Sequence, residues 1–306
     1  MGSRILRLLL ALALFLACSK KSAAMNATES TRAIQEGFAT TQDGIRIHYL
    51  ESGDLASPRA LVLIPGWRLP AYLWNEQLEK FSRSMRVLAI DPRSEGESTE
   101  TPDGNTPEFR ARDLHDVLGQ LKISEYVLVG WSQGVQDLAA YIQQFGMDSI
   151  AGVVIVDSPI YAGPAEIELH QKSSEATLSR MTLDVVYPRE SMEAMVHSFF
   201  LQPHPDLNME KIVNSTLQTP TATAIAMLMS DYFGVDRRPA LAKINKPTLV
   251  ITPAASPNFE AEKAMAATIR GAQFLVVQGS GHAVMIDQQE KFDDALEAFL
   301  QSEVKW

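Results

Sequence analysis

The chain has 306 residues, 46% of them hydrophobic and 21% charged, which allows one large α/β domain or two small ones. Its net charge of −10 argues against nucleic acid or an anionic membrane face as the main partner. A single cysteine excludes an intrachain disulfide, so the fold must rest on its core.

The chain begins with a leader-like segment. Arg4 and Arg7 precede an apolar run over residues 8–17, and Cys18, Ser19, Lys20 and Lys21 follow. A basic start, a short apolar stretch and a small residue before the break read as a bacterial export signal, and the run is short for a membrane span. Phe15-Leu16-Ala17-Cys18 resembles a lipobox, with Leu16 where a small residue is usual. Residues 1–31 are therefore assigned to an export signal or lipoprotein leader with its linker. The expected protein is exported, periplasmic or membrane-anchored through a lipid on Cys18. Cleavage near Ser22-Ala23-Ala24 would give a secreted form, and a start at Met25 a cytoplasmic one.

Residues 45–50 alternate at period two and read as an early antiparallel strand. Continuous apolar runs at 60–64, 86–90, 126–129, 152–156, 248–251 and 274–277 read as buried strands. Helical stretches separate them at 107–121, 135–145, 259–269 and 288–300. This alternation predicts the α/β class, a mostly parallel sheet with helices on both faces. Residues 160–238 break the rhythm. They hold no convincing strand, several prolines, and Met181, Met192, Met195, Met209, Met227 and Met229. The segment reads as a helical cap inserted into a core of 37–159 and 239–306. Most of these methionines are expected to fill the core, and some to line a cavity suited to an apolar substrate.

The chemistry centres on Val127-Leu128-Val129-Gly130-Trp131-Ser132-Gln133-Gly134. A buried strand runs straight into Gly-x-Ser-x-Gly and then into a helix, the order that holds a serine on a strained, exposed turn. Side chains at 130 and 134 would collide with neighbouring backbone in so sharp a turn. A serine hydroxyl needs a base to become a nucleophile. Of the six histidines, His282 follows the last buried strand in Gly279-Ser280-Gly281-His282, on the same sheet edge as Ser132. His48, His115, His170, His197 and His204 are assigned to surface or structural roles. Two backbone N–H groups would hold a developing oxyanion, that of Gln133 and that of Trp67 in Pro65-Gly66-Trp67.

Together these segments resemble the α/β-hydrolase superfamily, in its cap-bearing esterase, lactonase and perhydrolase-like branch, from Gly37 to about Phe299. Pro65-Gly66-Trp67 resembles the family's oxyanion loop, with proline in place of histidine. Residues Asp91-Pro92-Arg93-Ser94-Glu95-Gly96-Glu97-Ser98 resemble its Asp-x-Arg-Gly-x-Gly-x-Ser loop, with Ser94 at the first glycine. The resemblance implies an α/β-hydrolase fold with an inserted helical cap.

The departure lies at the acid. The family's carboxylate usually follows the strand at 248–251, yet Thr252-Pro253-Ala254-Ala255-Ser256-Pro257-Asn258 contains none before Glu260. Asp157, which ends the strand next after the nucleophile, is taken as the partner of His282 in preference to Glu260 or Glu262. Some haloalkane dehalogenases and cofactor-free dioxygenases of the superfamily place their acid there.

The expected function is a serine hydrolase acting on a small to medium apolar carboxylic ester or lactone through Ser132, His282 and Asp157. Two rivals remain, a cofactor-independent dioxygenase on a heteroaromatic ring and a low-turnover binding or sensing protein. A haloalkane dehalogenase would need a carboxylate where Ser132 stands. There is no phosphate loop, His-Glu-x-x-His or paired-cysteine zinc spacing, and Val284 replaces the third glycine of a dinucleotide pattern. No cofactor and no metal is implied. The implied partner is a small-molecule substrate, and the oligomeric state is left open.

Overall fold

The computed structural model describes residues 33–304, so the leader assigned to residues 1–31, with Cys18, lies outside the described residues. One eight-stranded sheet organises the chain, in the order β1-β2-β4-β3-β5-β6-β7-β8. Its strands are β1 (Gln35–Thr40), β2 (Arg46–Ser52), β3 (Arg59–Ile64), β4 (Arg86–Ile90), β5 (Glu125–Trp131), β6 (Ile150–Val156), β7 (Thr248–Pro253) and β8 (Gln273–Val277). β1 pairs antiparallel with β2, and β2 with β4. Every pairing from β4 across to β8 is parallel.

Seven of these strands stand where the apolar runs predict them. β1 is the addition, and it begins at Gln35, ahead of the expected core boundary at 37. Only Ala39 of this edge strand is buried, so its sequence carries almost no hydrophobic signal.

Helices of seven or more residues are numbered in chain order. They are α1 (Asn75–Phe81), α2 (Pro107–Gln120), α3 (Gly134–Phe145), α4 (Gln171–Val186), α5 (Pro188–Ser198), α6 (Met209–Gln218), α7 (Thr221–Phe233), α8 (Phe259–Thr268) and α9 (Gln289–Phe299). Among the described residues none is long and apolar enough to cross a membrane.

The central strands are apolar at consecutive positions because both sheet faces are covered. Val127, Val129 and Trp131 of β5 join Trp74, Phe292 and Leu296 on one face. Tyr126 and Leu128 join Leu114 of α2 and Leu138 of α3 on the other. Between β6 and β7 the chain forms α4 to α7, with no strand. Met192, Val196, Ile212, Ala224 and Met227 of these helices continue the first core cluster. The cap is thus packed into the main core rather than merely resting over it. Met181, Met192, Met195 and Met227 are buried as expected, whereas Met229 is exposed.

Candidate active site

The sheet brings the carboxyl ends of β3, β5, β6 and β8 to one edge, and the loops that follow them enclose a cavity of about 350 Å³. Ser132, Asp157, His282, Trp67 and Gln133 all line it.

Ser132 sits between β5 and α3 with φ 56°, a left-handed conformation that non-glycine residues rarely adopt. Its amide donates to the Val156 carbonyl at 3.0 Å, tying the turn to the neighbouring strand. The flanking glycines answer to close backbone contact. A Cβ on Gly130 would stand 2.6 Å from the Gly134 carbonyl oxygen, and one on Gly134 would stand 2.6 Å from that of Ile64. Both separations are below any real Cβ contact, so the sharp turn requires glycine at each end.

His282 Nδ1 lies 2.6 Å from Asp157 Oδ2, which leaves Nε2 as the nitrogen able to accept a proton. No Ser132–His282 hydrogen bond is formed in this conformation, and such bonds commonly tighten only with substrate. The rings of Trp131 and Phe199 lie 5.4 and 5.1 Å from the imidazole. Trp131 Nε1 also donates to the His282 carbonyl at 3.0 Å. Gly281 has no room for a side chain, since its Cβ would stand 2.4 Å from the Phe199 carbonyl oxygen. Asp287 completes the loop by accepting from the Gly281 amide at 2.6 Å.

None of the other five histidines lines the cavity, and His204 meets the His282 loop only through Asp287. His48 pairs with Asp91 at 2.7 Å, His204 with Asp287 at 2.6 Å, and His115 stacks on Phe145 at 4.0 Å. His170 and His197 are exposed on the cap.

Asp157 ends β6 with φ 45°, another left-handed residue. Its amide donates to the Ile251 carbonyl at 3.0 Å, and its Oδ1 is buried without a donor. Behind it stands Glu262 of α8, fully buried. The Glu262 carboxyl accepts from Thr252 Oγ1 at 2.5 Å and from Ser256 Oγ at 3.0 Å. Burial, and then the negative charge of Asp157, push its pKa up to about 8. The turn that lacks a carboxylate thus has one beneath it, reaching back from the helix. Glu260, by contrast, is exposed and does not line the cavity.

The amides of Trp67 and Gln133 have no hydrogen-bond acceptor among the described residues, and both residues border the cavity. A Cβ on Gly66 would stand 3.1 Å from Ser132 Cβ, a measure of how closely this loop approaches the serine. Trp67 Nε1 donates to the Ala224 carbonyl of α7 at 2.9 Å, fixing the loop to the cap. Arg68, at φ 60°, gives its amide to Glu95 at 2.5 Å and its Nε to the Thr216 carbonyl at 2.6 Å. Burial lowers the Arg68 pKa to about 10. Ser94, at the expected glycine, adopts φ 63°, and its Oγ donates to the Thr101 carbonyl at 3.1 Å.

A buried ionic cluster supports this floor, and sequence reasoning missed it. Arg110 of α2 reaches Asp137 of α3 at 2.7 Å and Asp231 of α7 at 2.5 Å. Asp231 in turn accepts from Gln133 Nε2 at 2.5 Å. Burial raises Asp137 to about 7 and also pushes Glu95 up, while Arg110 opposes both shifts. Among the described residues no three His, Cys, Asp or Glu side chains are grouped as metal ligands would be.

Comparison with known proteins places this geometry in a family. A family model described as "Alpha/beta hydrolase family" matches residues 61–295. A bifunctional esterase/perhydrolase of Acinetobacter calcoaceticus is 32% identical over 123 residues, which are 40% of this chain and 44% of that protein. The chain therefore spans less than half the length of that relative in the match. A thermophilic esterase from Thermogutta terrifontis superposes with a TM-score of 0.72 at 27% identity, covering 87% of this chain and 98% of the other. A bromoperoxidase from Bacillus anthracis superposes with a TM-score of 0.79 at 23% identity, covering 88% and 100%, a likeness of fold.

Proposed function

The chain belongs to the α/β-hydrolase family, and on that premise we propose that it is a serine hydrolase cleaving a small to medium, mostly apolar carboxylic ester or lactone. The observation that carries this reading is a left-handed Ser132 in one cavity with a His282–Asp157 pair and two unengaged backbone N–H groups. In the proposed reaction, His282 Nε2 takes the hydroxyl proton as Ser132 Oγ attacks the carbonyl carbon. The Trp67 and Gln133 amides hold the resulting oxyanion. The same proton passes to the departing alkoxide as the carbonyl re-forms, leaving an acyl-enzyme. Water then repeats the sequence and releases the acid, with Asp157 keeping the imidazole in its Nδ1–H tautomer throughout.

The walls support an apolar substrate. Leu69 and the cap residues Met195, Phe199 and Leu228 line the cavity, and the volume admits a ligand of modest size.

The test is labelling with a fluorophosphonate probe, followed by a panel of p-nitrophenyl esters and lactones with and without EDTA. The proposal expects labelling at Ser132 and ester turnover indifferent to chelator. Labelling with negligible turnover across the panel would favour a binding or sensing protein. Consumption of oxygen with a hydroxyquinolone, persisting in Ser132→Ala, would favour the dioxygenase.

A further inference from the structure

The charged groups that line the cavity are paired, with one exception. Asp157 is bonded to His282, and Asp231 to Arg110 and Gln133. Arg180 of α4 also borders the cavity, with its guanidinium carbon 5.3 Å from the centre of the Trp67 ring. Its Nε is buried and has no acceptor among the described residues. Asp184, one turn further along the helix, bonds to Ser191 and supports the charge of Arg68 instead. Glu190 borders an adjoining groove that Arg180 shares, without an ion pair to it.

We propose that Arg180 anchors a carboxylate carried by the substrate, so that the ester taken by this site is apolar in body and monoanionic at one end. This inference rests on the hydrolase reading above and narrows its substrate class. The Trp67 ring holds the cation in place by its negative face. The terminal N–H groups of the guanidinium then pair with a carboxylate through two parallel hydrogen bonds. Asp157 and Asp231 border the same space, so one guanidinium there suits a substrate with one negative charge rather than two.

Two matched substrate pairs test the proposal. Mono-p-nitrophenyl adipate against p-nitrophenyl hexanoate places the carboxylate on the acyl side. 4-Acetoxybenzoate against its methyl ester places it on the alcohol side. The readout is the ratio of kcat/KM for the anionic member to that for the neutral one. In the wild-type protein at least one ratio should exceed one. Arg180→Gln should lower that ratio by roughly 10- to 100-fold, mainly through KM, and Arg180→Lys should recover part of it. Rising ionic strength should lower the favoured ratio in the wild type, a measurement that needs no variant. Wild-type ratios at or below one for both pairs, or the same ratio in an Arg180→Gln protein with a native thermal transition, would overturn the inference and leave the hydrolase reading standing. Turnover of none of the four esters would remove the hydrolase reading and this inference with it.

Discussion

The carboxylate of Asp157 that meets His282 at 2.6 Å has the Glu262 carboxyl at its back, so two acids are stacked behind one imidazole. Like charges in so dry a place cannot both be present cheaply. Burial and the Asp157 charge both favour the protonated form of Glu262, raising its pKa to about 8. A protonated Glu262 is a donor, and Asp157 Oδ1 is a buried acceptor in need of one.

Different consequences should therefore follow from removing each acid. Asp157→Asn should lower kcat by as much as roughly 10⁴-fold, because the imidazole loses its orienting acceptor. Glu262→Gln should keep most activity at pH 7, since an amide can donate to Asp157 as the acid does. Glu260→Gln should be indistinguishable from wild type. Steady-state ester hydrolysis, with each variant's thermal transition recorded, separates the three. A dead Glu262→Gln beside a near-normal Asp157→Asn would reverse the assignment.

The same pair should show in stability against pH. Folding raises the Glu262 pKa from an ordinary 4.5 to about 8, so its contribution is fully present below 4.5 and is lost as pH rises through about 8. Glu262→Gln carries no proton to lose. Urea denaturation at intervals from pH 5 to 9 should therefore show the variant gaining on the wild type as pH rises. A constant difference over that range would contradict the protonated state.

Arg110 joins α2, α3 and the cap helix α7 through Asp137 and Asp231, both buried. Arg110→Met should cost about 3–5 kcal/mol, because the acids it serves would be left uncompensated. The loss should be smaller at pH 5 than at pH 8, where more of those carboxyls must give up their protons. Chemical denaturation at the two values measures it.

Gly281→Ala would bring a methyl group to within 2.4 Å of the Phe199 carbonyl, a backbone atom that cannot swing aside. The His282 loop should shift, and kcat should fall by roughly 10²-fold, the scale of a displacement near 1 Å. KM should change far less. Kinetics of this variant beside Gly119→Ala, in helix α2 where nothing stands within 4 Å, would distinguish the specific contact from a general effect of alanine.

Much of this site is local in sequence, and that part was legible. The elbow around Ser132, the loop amides of Trp67 and Gln133, and the strand-end positions of Asp157 and His282 each follow from a strand entering a turn. Ser132 and Asp157 both take the left-handed backbone that such sharp exits demand. Three features were not legible, each for a physical reason. β1 is an edge strand with one buried residue, so it lacks an apolar pattern. Glu262 lies in a first helical turn, where a carboxylate needs no explanation beyond the helix dipole, and only the docking of α8 on β7 buries it. Arg110, Asp137 and Asp231 come from separate helices and meet only when the cap closes on the core, so spacing along the chain says nothing of them.

The central claim is that Ser132 becomes acylated during turnover. The direct measurement mixes the purified protein with excess p-nitrophenyl acetate in a stopped-flow instrument and maps any acetyl adduct by peptide mass spectrometry. The account predicts an adduct on the peptide that holds Ser132, none there in Ser132→Ala, and a fall in turnover of roughly 10³-fold or more in that variant. Ester hydrolysis at an undiminished rate in a folded Ser132→Ala protein would contradict it.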